Sequence, residues 1–508
     1  MDKKLFLTGI SLLSAVVLWA QSSVYTLDEC RDLALKNNKE QKIAQAELDK
    51  ATYERKAART KYFPDLSIRG AYVRNGDQLS LVGEDLFLPI GTVSNGSFGF
   101  EMPTMHLDQN GAPVISSSQL NNKWAVVNGQ PAPLDANGVP FDPRKNPEKL
   151  LWKEYTTIPK EELEFDTRNI FLASLNLTQP VFMGGKIVAY NKITELKRQL
   201  AQSKMNTQKE DILVQVDGAY WQIVSLNNKK KAVESLVKLL DKMQQDVKNL
   251  IESGLATKAD ELSVSVKRNE AEMTMFKVDN GIRLSKMLLA QYCGLPLEED
   301  FSLADESGEA IEIVEAEPCD MNDVYNNRSE IHSLELAQNI YRQKEKVERA
   351  ALMPTVALFG TYAGTNPSTK HGFEKEFGFD WHVGVLVNIP LLHWGESIYN
   401  LKAAKCETQI AQYKEEDVKE KVELQVSQSA FKHSEAIRKW EVSKRNLERA
   451  DENLRYAMIG FKEGVIPASN LLEAQTAWLA ANSDKIDAEI EAKMSEINYQ
   501  KAIGKLGK

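Results

Sequence analysis

Two stretches of this chain carry the same pattern, and that repetition limits what it can fold into. Leu177-Thr-Gln-Pro180-Val-Phe-Met-Gly-Gly185-Lys and Val387-Asn-Ile-Pro390-Leu-Leu-His-Trp-Gly395-Glu lie 210 positions apart. Each closes a run of alternating residues, meets a proline, turns at glycine and opens a long helical pattern. Proline cannot donate to a sheet ladder, so each is expected to end its strand. Glycine then supplies the freedom to turn into a helix. The same offset of 210 joins Val216 to Val426, Gly254 to Gly464, Leu262 to Leu472 and Gly294 to Gly504. Upstream the offset is 290, joining Asn37 to Asn327, Pro64 to Pro354, Gly70 to Gly360 and Tyr72 to Tyr362. The chain is an internal duplication, with 80 extra residues between Tyr72 and Leu177 of the first half.

The N-terminus reads as a secretory signal over 1–20. Lys3 and Lys4 precede an apolar core from Leu5 to Trp19, and Ala20-Gln21 suits cleavage. The apolar run is short for a membrane anchor. Cys30 lies too far beyond it for a lipid-anchored start. No later stretch offers the ~18 apolar residues of a spanning helix. The formal charge of −9 and a pI near 5.5 argue against nucleic acid as a partner. The four cysteines, Cys30, Cys293, Cys319 and Cys406, have no metal-ligand spacing. An exported chain can form disulfides, and Cys30, Cys293 and Cys319 are candidates; separate buried thiols are the alternative. No cofactor or metal site is expected.

Along the chain, Thr26 and Glu29 are spaced as a capping box opening a helix over about 28–62, which Pro64 stops. Leu66 to Val73 then alternate. Leu66, Ile68 and Tyr72 share one face, with Ser67 and Arg69 on the other. The return strand places Phe171, Leu175 and Leu177 opposite Ser174, Asn176 and Thr178. Trp381, Val383, Val385 and Val387 repeat the apolar face in the second half. Such strands fit a soluble sandwich or a membrane barrel with a wet lumen. Between the first pair of strands, 74–168 holds nine of the 17 prolines and reads as loop chemistry, an elaborated hairpin loop with a little local strand.

From Lys186 to Ser253 and from Glu396 to Glu463 the apolar residues keep the spacing of a coiled-coil seam. Each helix of about 68 residues would extend roughly 100 Å. Gly254 and Gly464 end them as cap glycines, and return helices follow at about 257–293 and 467–503. The helix before each strand and the return helix, laid end to end, match one long helix in length. The acidic segment 295–322 links the halves where the short helices meet.

At this point the chain resembles the TolC family of outer-membrane efflux ducts over nearly the whole length after the signal. The resemblance rests on an ordered, duplicated set: Asn37-Asn38 and Asn327-Arg328, Tyr62-Phe63-Pro64 and Leu352-Met353-Pro354, Gln179-Pro180-Val181-Phe182 with Gly185, and Ile389-Pro390-Leu391-Leu392 with Gly395. The segments at Gly254-Leu255 and Gly464-Val465 resemble the family's periplasmic turns, where an adaptor makes contact. The loop 74–168 departs from the compact family pattern. The resemblance implies a mainly α fold with a transmembrane β part: a TolC-like homotrimer with four strands per chain in a shared 12-stranded barrel, above a coiled-coil helical tunnel. It divides the chain into a signal (1–20), a first repeat (21–294, with 74–168 extracellular), an equatorial linker (295–322) and a second repeat (323–508). The implied partners are outer-membrane lipid, a periplasmic adaptor (membrane fusion) protein and an inner-membrane pump of the resistance-nodulation-division or ABC type. The implied task is an exit duct for efflux or type I secretion.

The family also carries two acidic residues, three apart, that ring the periplasmic entrance. The matching positions here are Asn470 and Glu473 in the second half, and Asp260 and Ser263 in the first. Asp260 also completes a capping box with Thr257, so capping and lining both stand for it. Glu473 lies deeper in its helix, where it lines the entrance or faces solvent outside. Other functions find less in the residues. The six histidines, among them His106 and His433, lack paired metal spacing. Met183-Gly184-Gly185-Lys186 has Pro180 where a phosphate loop needs its first glycine. No nucleophile elbow is present. A periplasmic coiled-coil scaffold without a pore is the alternative, and it leaves four matched strands unexplained.

Overall fold

A computed structural model describes residues 23–507, apart from 90–92, 95–96, 99–103, 117–119, 154, 308–313, 315–317 and 371. The expected signal segment lies outside the described residues. The chain divides into a helical unit (to residue 63, 182–355 and from 388) and a β unit (64–181 and 356–387). Among the described residues no helix is long and apolar enough to cross a membrane.

In the helical unit, α1 (Leu27–Asn37) and α2 (Lys39–Thr60) precede the first strand. Then come α3 (Lys186–Glu252), α4 (Lys258–Cys293), α5 (Met321–Asn327), α6 (Ser329–Ala350), α7 (Glu396–Lys462) and α8 (Ala468–Ala502). The capping box at Thr26 is formed: Glu29 N donates to Thr26 Oγ1 at 3.3 Å and Thr26 N to Glu29 Oε2 at 2.9 Å. The single helix expected over 28–62 is instead broken at Asn38, whose ψ of 135° is not helical. Asn38 Oδ1 accepts from Glu40 N at 2.8 Å and so starts α2. Its Nδ2 donates to Tyr292 O at 3.3 Å, and Asn37 Nδ2 donates to Cys293 O at 3.2 Å. The last carbonyls of a helix have no partner within it, and here two asparagines supply one. The end of α4 therefore abuts the start of α2.

The second half repeats the device with different chemistry. Arg328 breaks the chain between α5 and α6, and its guanidinium donates to Ala502 O at 3.0 Å. The glycines repeated at this level follow from the same contact. A Cβ on Gly294 (φ +70°) would sit 2.6 Å from Asn37 Cβ, and one on Gly504 (φ +71°) 3.0 Å from Asn327 Cβ.

The two long helices, 67 residues each, organise two rows. Near the strands the packing order is α2, α3, α6, α7; near the far tips it is α4, α3, α8, α7. Thus α3 has neighbours on both sides throughout, whereas α2, α4 and α7 form the flanks. Midway, Tyr220, Val216, Leu289 and Phe301 build the largest cluster together with Cys30 and Cys293. A short parallel pair, Ser23–Tyr25 with Phe301–Leu303, closes over it. All four cysteines are free thiols. Cys293 Sγ donates to Cys30 O at 3.5 Å, while Cys319 belongs to a separate cluster and accepts from the Tyr499 hydroxyl at 3.7 Å.

One ion pair is locked into this middle region. Asp217 is fully buried and accepts from Arg31 Nε at 2.8 Å and Nη2 at 2.7 Å. Burial pushes its carboxyl above the usual range, and the Arg31 guanidinium opposes that shift. Removing one partner of a buried pair leaves an uncompensated charge. Arg31→Met is expected to cost about 3–5 kcal/mol at neutral pH. The raised folded value makes this loss grow as pH rises through it and shrink below it, where Asp217 is neutral. Urea unfolding at pH 7 and at mildly acid pH checks the sign; an equal loss at both would assign the cost to packing instead.

The β unit holds a four-stranded sheet of β1 (Asp65–Arg74), β2 (Asn169–Met183), β3 (Thr355–Asn366) and β4 (Gly378–Asn388), in the order β4, β3, β2, β1. The antiparallel register of β1 and β2 pairs Leu66 with Leu177, Ile68 with Leu175 and Tyr72 with Phe171. The alternate positions pair Ser67 with Asn176 and Arg69 with Ser174. Strand alternation thus sorts the side chains onto an apolar and a polar face. Thr361 Oγ1 donates to Asn176 Oδ1 at 3.1 Å on the polar side. The apolar side chains Ile68, Tyr72, Phe171, Trp381 and Val383 are exposed in the single chain.

The insertion 74–168 is a loop between β1 and β2, as read, but it carries more strand than its composition suggests. Among the described residues it contains ten strands of two to four residues in antiparallel pairs, such as Trp124–Val127 with Gln130–Pro133. Asn128 (φ +50°) and Gly129 (φ +80°) form that hairpin's turn, the geometry an Asn-Gly pair favours. Pro89, Pro113 and Pro133 stand at strand ends, where a missing N–H is harmless. Leu120, Phe141 and Leu150 form a small core of the insertion.

Candidate functional site

The far tips of the long helices are two copies of one turn. Gly254 (φ +74°) follows α3, with Gly254 N donating to Ile251 O at 3.0 Å and Leu255 N to Leu250 O at 2.8 Å. Gly464 (φ +72°) follows α7, with Gly464 N on Phe461 O at 3.0 Å and Val465 N on Gly460 O at 2.8 Å. This is the Schellman pattern, which satisfies the last helical carbonyls. It holds Leu255 and Val465 outward, each 77 % exposed.

Just inside each tip lie the four candidate gate residues. Asp260 is occupied in the cap of α4. Its Oδ2 accepts from Thr257 N at 2.9 Å and Thr257 Oγ1 at 2.6 Å, and these bonds hold its carboxyl below the usual range. Ser263 turns its hydroxyl to Ala259 O at 2.9 Å. On α8, Pro467 provides no side-chain cap. Asn470 and Glu473 are exposed, while Leu471, Leu472, Ala474 and Gln475 beside them are buried. Glu473 therefore points away from the packed side of its helix.

The strand-to-helix turns behave less alike than their sequences. Gly185 (φ +86°) and Gly395 (φ +88°) both sit immediately before a long helix. Pro390 lies in the segment after β4. Pro180 does not end its strand, because β2 continues to Met183. Its pairing with β1 stops at Thr178 opposite Asp65, so the missing N–H breaks no bond on that side. Gly184 is a residue the repeat pattern did not single out. A Cβ there would lie 2.7 Å from Met353 Cβ and 2.8 Å from Ala350 O. Its counterpart, Trp394, has the same left-handed backbone (φ +49°) and is exposed. The signal was the Gly-Gly pair, read only for its second member.

Paired long helices with capped tips and a four-stranded sheet with one bare apolar face are the parts of a TolC-like outer-membrane duct. Residues 157–294 and 321–505 match the profile of the outer membrane efflux protein family, and the chain belongs to that family. It is similar to the alkaline protease secretion protein AprF of Pseudomonas aeruginosa, at 20 % identity over 338 residues, covering 65 % of this chain and 68 % of AprF. Its fold is that of the outer membrane protein VceC of Vibrio cholerae, at 13 % identity and TM-score 0.66, covering 95 % and 97 % of the two chains. The MtrE outer membrane channel of Neisseria gonorrhoeae, solved in its open state, gives 15 % identity and TM-score 0.65 over 94 % and 89 %. The chain is an outer-membrane exit duct of a tripartite efflux or type I secretion system, with a large periplasmic portion. A scaffold without a pore is set aside.

Proposed function

We propose that the duct is a homotrimer, closed in the helical unit by packing α2 and α4 of one copy against α7 of the next, and in the β unit by pairing β1 of one copy with β4 of the next. The observation that carries this reading is a mismatch between equivalent positions. Leu472 is 7 % exposed, but Leu262 at the same repeat position is 57 % exposed. Ile486 is 5 % exposed and Phe276 67 %; Trp221 is 6 % and Phe431 70 %. The buried member of each pair lies on α3 or α8, which have neighbours on both sides. The exposed member lies on a flank, α4 or α7. Burying a large apolar side chain is worth about 1.5–3 kcal/mol, so these stripes favour a second copy.

The sheet argues the same way, since an open edge cannot face lipid. Both β1 and β4 are edges. Four strands are too few to enclose a pore, and three chains give a 12-stranded barrel with outer-membrane lipid on its apolar face. In this reading 21–294 and 323–508 are the structural repeats and 295–322 is the linker at their middle. The tips at Gly254-Leu255 and Gly464-Val465 receive the periplasmic adaptor, and the pump is of the resistance-nodulation-division or ABC type. Asp260, Ser263, Asn470 and Glu473 stand at the periplasmic gate. Native mass measurement of the detergent-extracted particle tests the assembly; three chains are expected, and a monomer or dimer as the sole species sinks it.

The insertion 74–168 is placed outside the cell. It connects β1 to β2 at the ends remote from the helices, and its Asn128-Gly129 turn is exposed. A tag inserted at that turn is expected to be labelled on intact cells. Labelling only after the outer membrane is ruptured would reverse the orientation.

A further inference from the structure

We infer that the tip region of each chain contains a binding site for a small apolar molecule carrying an O–H or N–H donor, built around Gln475. A cavity of about 450 Å³ lies between α3, α7 and α8, with Met243, Leu250, Met458, Phe461 and Leu471 among its walls. Gln475 lines it, and also lines an adjoining cavity of about 110 Å³ between α3, α4 and α8. The Gln475 side chain is 2 % exposed, and its Oε1 is buried without a hydrogen-bond partner. A buried acceptor left unpaired is costly, and native chains rarely keep one without a use.

The walls say what the acceptor waits for. Six of the eleven lining side chains are aliphatic, aromatic or thioether groups, and Lys242, Asp246, Asn249 and Lys462 supply a polar rim around them. A molecule with an apolar body and one donor satisfies both the walls and the amide. The volume suits two aromatic rings, within the range of small-ligand pockets. The repeat supplies a control within the chain. The position equivalent to Gln475 in the first half is Ser265, so the amide is not a requirement of the shared fold. It occurs only where α8 meets α3. An occupant would fix the first turns of α8 against α3, and a ligand that prefers one spacing of these helices shifts the population toward it.

The probe pair is 4-hydroxybiphenyl and 4-methoxybiphenyl, which share a body and differ in the donor. Binding is measured by titration calorimetry on the full chain, in its native assembly in lipid nanodiscs, with empty nanodiscs subtracted for partition. The hydroxyl compound is expected to bind about tenfold tighter, the size of one buried hydrogen bond. Gln475→Leu should bring the two within about twofold. Met458→Trp, at a half-buried wall position, should abolish binding of both. Particle mass and helical circular dichroism verify that each variant assembles. Equal affinities in the natural chain, binding unchanged by Met458→Trp, or no signal above empty nanodiscs would each overturn the site. None of these readouts depends on how the duct conducts.

Discussion

Lys39→Cys combined with Glu420→Cys, in a chain carrying Cys406→Ala and Cys319→Ser, is expected to join neighbouring copies into covalent dimers and trimers on mild oxidation. The pair follows from the duplication. Within one chain α6 packs on α3; there Ser329 Oγ donates to Glu210 Oε1 at 3.2 Å and Ser203 Oγ to Ser329 O at 2.7 Å. The position equivalent to Ser329 is Lys39 at the start of α2, and the position equivalent to Glu210 is Glu420 on α7. Both are exposed in the single chain and they carry opposite charge. If α7 meets α2 of the next copy as α3 meets α6, Lys39 and Glu420 stand side by side. Each single variant should stay monomeric on a denaturing gel. A second double variant, Glu420→Cys with Asp49→Cys, lies nearly three helical turns off this register and should link far less. Comparable linking from both pairs would refute the register, and no linking from either would refute the contact.

The architecture was largely legible in the residues because its strongest signals were repeated. A strand, a proline, a glycine and a long seam, found twice at fixed offsets, leave few arrangements open. The caps at Thr26 and Thr257 were readable for a local reason: their partners are three residues away. What stayed hidden depended on distant contacts. Asn38 breaks a helix because Tyr292 O lies beside it, and nothing near Asn38 in the sequence announces that carbonyl. Gly184 is required by Met353 and Ala350, again far along the chain. Pro180 was misplaced because β2 runs on past its pairing with β1, where a missing N–H breaks no bond on that side. The insertion looked irregular since short hairpins need few alternating residues, and prolines at their edges imitate loop composition.

The residues proposed for the gate came from a family resemblance, and the cap geometry gives their two acids different surroundings. Replacing Glu473 by Gln is expected to weaken block of the channel by divalent cations in planar-bilayer recordings, raising the half-blocking concentration at least tenfold. Glu473 is exposed on the unpacked side of α8, and in a trimer three copies would face one axis. Like charges held close together favour cations and disfavour anions at a constriction. Asp260 has another occupation. Its carboxylate closes the capping box with Thr257, so Asp260→Ala should cost about 1 kcal/mol of helix stability at the tip. Hydrogen bonds from Thr257 hold its pKa down, so it stays ionised to lower pH than an ordinary carboxylate. The cap contribution is therefore present above the unfolded value and lost only as pH falls through the depressed one. Asp260→Asn keeps a capping oxygen and removes the charge. With Glu473 intact, this variant isolates whatever Asp260 adds to selectivity. A further loss of block in Glu473→Gln/Asp260→Asn would place both acids at the constriction. No change beyond the single Glu473→Gln variant would leave Asp260 as a cap, and full block in the correctly assembled double variant would remove both from the gate.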